Sequence, residues 1–338
     1  MKTKIQELFN SWQKNNENFS GVFSVTAFDK IINQQACGYR NKAESLPNKV
    51  DTAFAIASGT KLFTGLAICQ LIDNKKISLQ DKLWDILPYD LGQIDKNVTV
   101  FHLLTHTSGI GDYIDEESDD YGSEQLNALN KKYPCYLWDN LKYYLQMITP
   151  LNPKFEPGHR FAYSNAGFVM LGLVVEAASK IPYQQYVQKN IIAPCKLSHT
   201  GFYRMDTLPA NTAYGYINEW QTNIFNMPVI GGSDGGLFTC AEDLDKLWRA
   251  IFSNKLLSED MTQQFLKPQI ERRNNNSYGL GVYLRNKGED AVYYAVGGDS
   301  GVDFFTAYFP KTQTVASALG NTEINTFPLF ENLFDLLS

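Results

Sequence analysis

Ser58 and Lys61 stand three residues apart in S-G-T-K, at the head of the apolar run AIASGTKLFTGLAICQLID at 55–73. On a helix, positions i and i+3 share a face, so the lysine amine would lie beside the serine hydroxyl. A serine is a weak nucleophile without an adjacent base. Lysine serves as that base only when neutral, so its pKa must fall from about 10.4 through burial or a neighbouring cation. Leu62, Phe63, Leu66, Ile68, Leu71 and Ile72 would supply the burial. The helix N-terminus would favour negative charge on Ser58 and offer N–H groups to an oxyanion. Taken alone, S-x-x-K is a weak signal, because the same residues fit a helix cap at Ser58 and a snorkelling Lys61.

Two further segments strengthen it. Tyr163 and Asn165, in FAYSNAGFVMLGLVVEAASK, open a second apolar helix. A phenol and a carboxamide two residues apart at a helix start can face one cleft, although Tyr163 by itself also fits a core aromatic. AVGGDSG at 295–301 then places glycines at the end of a strand, where a backbone must approach something closely.

In that order, S-x-x-K, Y-x-N and a Gly-rich strand end resemble the serine β-lactamase and penicillin-binding-protein superfamily. The resemblance is greatest to its class C β-lactamase, D-aminopeptidase and esterase branch. LLTHTSGI (103–110), PGHRFAYSNAGFVMLGLVVEAASK (157–180), IIAPCKLSHTGF (191–202) and GGSDGGLFTCAEDL (231–244) look like that branch too, and the likeness extends over residues 15–335. It implies Ser58 as the acylated nucleophile and Lys61 as the group that takes its proton or tunes the network. Tyr163 would share base duty and help to activate water for deacylation. Asn165 would hold the substrate amide or orient Lys61. The oxyanion hole would pair the Ser58 N–H with one from the strand bearing Gly297 and Gly298.

The third motif departs from the family pattern, which begins with Lys or His as K-T-G or H-x-G. Here it reads Ala295-Val296-Gly297 or Val296-Gly297-Gly298, with neither a cation nor a hydroxyl. Asp299, just beyond, would meet an amine or only shape the turn. The resemblance therefore implies a serine hydrolase that forms an acyl-enzyme with a small amide or ester: a D-amino-acid peptide, a β-lactam or a carboxylic ester. The altered motif shifts weight toward esterase or amidase and away from an efficient β-lactamase. The alternative is a catalytically weak or inactive member that binds a peptide-like ligand or a protein partner.

These residues need elements to position them. GVFSVTAFD (21–29) and KIINQQACGYR (30–40) read as two strands around a turn near Asp29–Lys30. Segments 278–286, 291–298, 302–310 and 314–320 are strand-like, with turns at Asn286–Glu289 and Pro310–Thr312, and a last helix is expected at 324–337. Helices are expected at 59–73, 82–88, 99–106, 136–147, 164–179, 182–192 and 241–252, with Thr99 capping one and Gly109 ending it. Strands at both ends with helices between predict an α+β fold: an antiparallel β-sheet flanked by helices, with an inserted, mostly helical lobe. Residues 1–62 plus 235–338 would form the sheet domain, 63–234 the helical one, and the active site would lie between them. The acidic stretch GDYIDEESDDYGSEQ (111–125) reads as a solvated loop, or as a flap over the cleft that disfavours anionic ligands.

Composition narrows the function classes. The chain has 338 residues, a net charge of −6 and no basic block, which argues against nucleic acid. Its longest clean apolar run, FVMLGLVV at 168–175, is too short to span a bilayer. The N-terminus is amphipathic through Ile5, Leu8, Phe9 and Trp12 and lacks the features of a secretion signal. The expected location is cytoplasmic if Met1 is the native start, and periplasmic or extracellular if a signal peptide has been removed. The five cysteines are scattered and read as free thiols, with Cys69 a small core residue. His102 and His106 have zinc-helix spacing, but Leu103 stands where H-E-x-x-H needs glutamate. His159 and His199 read as surface or loop residues. No metal and no cofactor are indicated, the expected partner is a small-molecule or short-peptide substrate, and the sequence leaves the oligomeric state open.

Overall fold

The computed structural model describes residues 1–118, 122–286 and 290–337. Its sheet is built from β1 (Gly21–Ala27), β2 (Lys30–Cys37), β3 (Ile270–Glu271), β4 (Asn276–Tyr278), β5 (Tyr283–Arg285), β6 (Val292–Asp299), β7 (Val302–Phe309) and β8 (Thr314–Gly320). The spatial order is β2-β1-β8-β7-β6-β5-β4-β3, antiparallel throughout. β1 and β8 pair from Gly21–Gly320 to Ala27–Thr314, so segments from the two ends of the chain lie side by side in one sheet. The expected α+β architecture is the one observed.

Strand alternation explains why both faces are covered. On β7, Phe305, Ala307 and Phe309 point to one face, while Phe304 and Tyr308 point to the other. The first face is closed by α1 (Lys2–Lys14) through Ile5, Phe9 and Trp12 and by the C-terminal helix Phe327–Leu337 through Leu329, Phe330, Leu333 and Phe334. The second face joins the larger core, which includes Trp248 and runs on into the helical part of the chain. There α2 (Thr60–Asp73) buries every residue from Thr60 to Leu71, and Asn165–Ser179 buries every residue from Asn165 to Val175. Helices apolar all round belong in a core. Among the described residues, no single helix is long and apolar enough to cross a membrane.

Several expected boundaries move. The strand expected at 278–286 is two strands, because Gly281, at φ 100, brings the chain against α2: a Cβ there would lie 3.0 Å from Gly65 Cα. The segment 30–40 breaks after Cys37, and Tyr39–Asn41 pairs with Leu46–Pro47 in a separate ribbon. The helix expected at 136–147 is a series of single turns at Cys135–Leu137, Leu141–Tyr144 and Leu145–Ile148. Thr99 does cap Val100–Leu104, but that helix stops well before Gly109. Helices at Ser123–Lys132 and Glu259–Leu266 carry no expectation from the sequence; Ser258 caps the second. The expected Asn286–Glu289 turn lies outside the described residues beyond Asn286.

Candidate active site

Ser58 is not within the helix that follows it. It occupies a 3-10 turn, Ala57–Gly59, directly ahead of α2. Ala57 has φ 42, a left-handed conformation that costs an ordinary residue on the order of 1–2 kcal/mol. The surroundings hold it there. Thr60 Oγ1 donates to Ala57 O at 2.7 Å and accepts from Leu237 N at 3.0 Å, while Ile56 N donates to Leu237 O at 2.9 Å.

Lys61, one turn on, is only 3% exposed. Its Nζ lies 3.0 Å from Ser58 Oγ, 2.8 Å from Asn165 Oδ1 and 2.7 Å from the Asp234 carbonyl oxygen. Burial pulls its pKa below the usual lysine range, against the opposing pull of Asp234, Glu116, Asp112 and Asp299. The Tyr163 hydroxyl donates to Ser58 Oγ at 2.7 Å. Burial pushes that phenol well above 10, and Tyr283 and Glu116 add to the rise. Ser58, Lys61, Tyr163 and Asn165 thus form one hydrogen-bonded cluster.

Long-range contacts from outside the motifs position it. Asp112 accepts from the N–H groups of Asn165 and Ala166 at 2.7 and 3.1 Å, capping Asn165–Ser179 from a distant segment. Glu116 Oε1 accepts from Asn165 Nδ2 at 2.9 Å. The start of the acidic stretch is therefore built into the site, which corrects its reading as a solvated loop. Residues 119–121 of that stretch lie outside the described residues. His106 is also structural here. Its Nδ1 accepts from Ser164 N at 3.0 Å, and its ring packs 4.6 Å from that of Tyr163. His102 instead completes the capping box with Thr99. Asp234, from GGSDGG, offers its carbonyl to Lys61 and its carboxylate to the Tyr113 phenol.

Gly297 and Gly298 differ in environment. A Cβ on Gly297 would fall 2.2 Å from Ile56 O and 2.9 Å from Ser58 N, so β6 lies directly against the Ser58 turn. Gly298 has open space where its Cβ would be, and Asp299 ends the strand at the cleft. Ser58 lines two cavities. The smaller, about 120 Å³, is also lined by Tyr113, Glu116, Trp138, Tyr144, Asn165, Asp234 and Asp299. The larger, about 470 Å³, is bordered by Lys61, Phe161, Tyr163, Arg272, Tyr278, Tyr283 and Gly297. Arg272 brings a cation that no motif announced. Its guanidinium lies 4.4 Å from the Phe161 ring centre and 5.6 Å from that of Tyr283.

The Beta-lactamase family model matches residues 9–336. The chain belongs to that family. It is similar to a penicillin binding protein from Bacillus halodurans, with 38% identity, a TM-score of 0.90, and coverage of 98% of this chain and 99% of that one. The octameric penicillin-binding protein homologue from Pyrococcus abyssi shares the fold at 23% identity and a TM-score of 0.82, over 99% of this chain and 77% of its own. Penicillin-binding protein 4* of Bacillus subtilis (strain 168) is 27% identical across 84% of this chain and 64% of its own length. Protein flp of Staphylococcus aureus (strain N315) is 26% identical across 79% of this chain and 52% of its own length. The chain thus matches between half and two thirds of the length of these two curated relatives.

Proposed function

We propose that this member of the Beta-lactamase family is a serine hydrolase that forms an acyl-enzyme on Ser58 and releases it to water, acting on a small amide or ester. The placement of Lys61 carries the reading: its Nζ donates to Ser58 Oγ at 3.0 Å, to Asn165 Oδ1 at 2.8 Å and to the Asp234 carbonyl at 2.7 Å. Burial lowers its pKa and so favours loss of one of its protons. Once neutral, the amine keeps two N–H donors for Asn165 Oδ1 and the Asp234 carbonyl, which can only accept, and its lone pair faces Ser58 Oγ. Ser58 then donates its proton to Lys61 while accepting a hydrogen bond from Tyr163.

The steps follow from that arrangement. Lys61 takes the Ser58 proton as Oγ attacks the carbonyl carbon. The charge that develops on the carbonyl oxygen is met by the Ser58 N–H and the Gly298 N–H. Asp299 and Val302 pair across a two-residue turn, and main-chain groups alternate sides along the strand, so Gly298 directs its N–H away from β7. Losing one such donor costs about 2.7–4 kcal/mol of barrier. Lys61 returns the proton to the leaving group through the Tyr163 hydroxyl, and a water repeats the cycle on the ester. Tyr163 is a relay here, because its raised pKa keeps the phenol protonated. The substrate remains an ester or amide of D-amino-acid, β-lactam or simple carboxylic type.

The test is intact-mass measurement after incubation with p-nitrophenyl acetate, a D-amino-acid p-nitroanilide and a penicillin. An adduct on Ser58 that turns over, and that is lost in Ser58→Ala, is expected for at least one of them. A compound that binds at the cleft with neither adduct nor turnover would replace this reading with a binding module.

A further inference from the structure

We propose that Glu116 is a positioning residue: it fixes which way the Asn165 amide points and so leaves the Lys61 lone pair free for Ser58. This deepens the hydrolase reading and rests on it. Glu116 Oε1 accepts from Asn165 Nδ2 at 2.9 Å, and Asn165 Oδ1 accepts from Lys61 Nζ at 2.8 Å. The three groups form a line with one direction. A carboxylate oxygen only accepts, so it draws the NH2 end of the amide toward itself and turns the carbonyl end toward the lysine. The reversed amide would present an N–H to Lys61. In the neutral amine that N–H would occupy the lone pair, and Ser58 would have no base.

Glu116 is exposed, and an exposed glutamate on its own gains little by keeping one geometry. The segment 112–117 supplies the restraint. Asp112 accepts from the main-chain N–H groups of Asn165 and Ala166. Tyr113 donates to the carboxylate of Asp234, whose carbonyl is the other acceptor on Lys61. Asp115 pairs with Lys154 at 2.7 Å and Glu117 with Arg160 at 3.1 Å, flanking Glu116 in the chain. One short segment thus grips both residues that accept from Lys61, and Glu116 is the member that reaches the amide. Asn165 is only 7% exposed, so its amide depends on protein partners for its direction.

The charge of Glu116 has a second effect, of opposite sign. Burial lowers the Lys61 pKa, while Asp234, Glu116, Asp112 and Asp299 raise it. The other titratable groups around the amine are the Tyr163 phenol, whose ring centre lies 4.9 Å from Nζ, and the His106 imidazole. Removing the Glu116 charge makes the lysine easier to deprotonate. By charge alone, such a variant would acylate faster near neutral pH. By loss of amide direction, it acylates more slowly at every pH where the lysine is already neutral.

The test is single-turnover acylation by p-nitrophenyl acetate across pH, on the parent chain and on Glu116→Gln and Glu116→Lys, each checked for folding by circular dichroism. Glutamine can face the amide either way, whereas lysine only donates and so enforces the reversed direction. In both variants the rising limb should move to lower pH. The plateau above it should fall by about twofold or more in Glu116→Gln and about tenfold or more in Glu116→Lys, the scale of one charge-assisted hydrogen bond. A folded Glu116→Lys protein with the parent's plateau overturns the positioning role, wherever its limb lies. If that variant does not fold, a Glu116→Gln plateau equal to the parent's overturns it instead. A parent chain that forms no Ser58 adduct with any of the three test compounds overturns the hydrolase reading as well.

Discussion

Lys61→Met removes the amine while keeping an unbranched chain of similar reach. In the hydrogen-bond scheme, Ser58 then loses the lone pair that takes its proton. A positioned general base contributes about 10²–10⁴-fold, which at 1.36 kcal/mol per decade is about 2.7–5.4 kcal/mol of barrier. The fold should bear the change better than the chemistry does. Asn165 Oδ1 and the Asp234 carbonyl each lose a donor, at a cost of about 1–3 kcal/mol apiece. Removing a buried amine recovers part of that, and both acceptors belong to residues lining the cavity beside Ser58. The assay is single-turnover acylation with p-nitrophenyl acetate, followed by intact mass, with thermal unfolding measured on the same preparation. In the parent enzyme kcat/KM should rise with pH as Lys61 loses its proton, with the midpoint of the rise below that of an ordinary lysine, because burial lowers this pKa. Acylation of a folded Lys61→Met protein within about threefold of the parent, or a parent profile without that limb, would refute the role of the lysine.

Gly297→Ala drives a Cβ into two fixed backbone atoms, Ile56 O and Ser58 N, and should displace the nucleophile at a cost of about 10²-fold in turnover; Gly298→Ala meets nothing within 4 Å and should leave unfolding stability within about 0.5 kcal/mol. Steady-state kinetics checks the first and chemical denaturation the second. Tyr163→Phe keeps the ring against His106 but removes the donor to Ser58, so kcat should fall by about 10²-fold with an unchanged melting temperature. Burial raises the Asp112 carboxyl from 3.8 to about 6. The folded state thus holds this proton more tightly, and the stability it adds is full below pH 4 and lost as pH rises through about 6. The total is up to about 3 kcal/mol at 1.36 kcal/mol per pKa unit. Denaturation at pH 4 and pH 7 should show that the Asp112→Asn protein lacks this component of the pH dependence.

What the sequence disclosed and what it hid divide along physical lines. Ser58 and Lys61 are legible because helical spacing alone brings them together, and Tyr163 and Asn165 because they open a helix too apolar to lie anywhere but the core. The sheet is legible because β1, β7 and β8 alternate or bury their residues as strands must. Asp112, Asp234 and Arg272 are not legible as site residues. Their roles come from contacts between segments distant in the chain, and nothing in a run of acidic residues says which carboxylate meets a helix N-terminus. The acidic stretch misleads for that reason: composition predicts solvation, yet Asp112 caps a helix and Glu116 holds the Asn165 amide. The break between β4 and β5 hides for a related reason. Strand propensity continues through Val282, but the close approach of Gly281 to α2 is a tertiary event.

The carboxylates of the smaller cavity also connect binding to chemistry. Asp234, Glu116 and Asp299 each hold the Lys61 pKa up, working against the burial that lowers it. An ammonium group brought by a substrate and seated among them would cancel part of that influence and add a positive charge near the amine, and both effects would lower the pKa of Lys61. The base would then be more fully deprotonated in the complex than in the free enzyme. The pH dependence of kcat/KM reports the free enzyme, and that of kcat reports the complex. For D-alanine p-nitroanilide, the rising limb of kcat should therefore lie at lower pH than that of kcat/KM. For propanoyl p-nitroanilide, which brings no charge, the two limbs should coincide. Coincident limbs for both substrates would separate the charge of the carboxylates from that of the lysine.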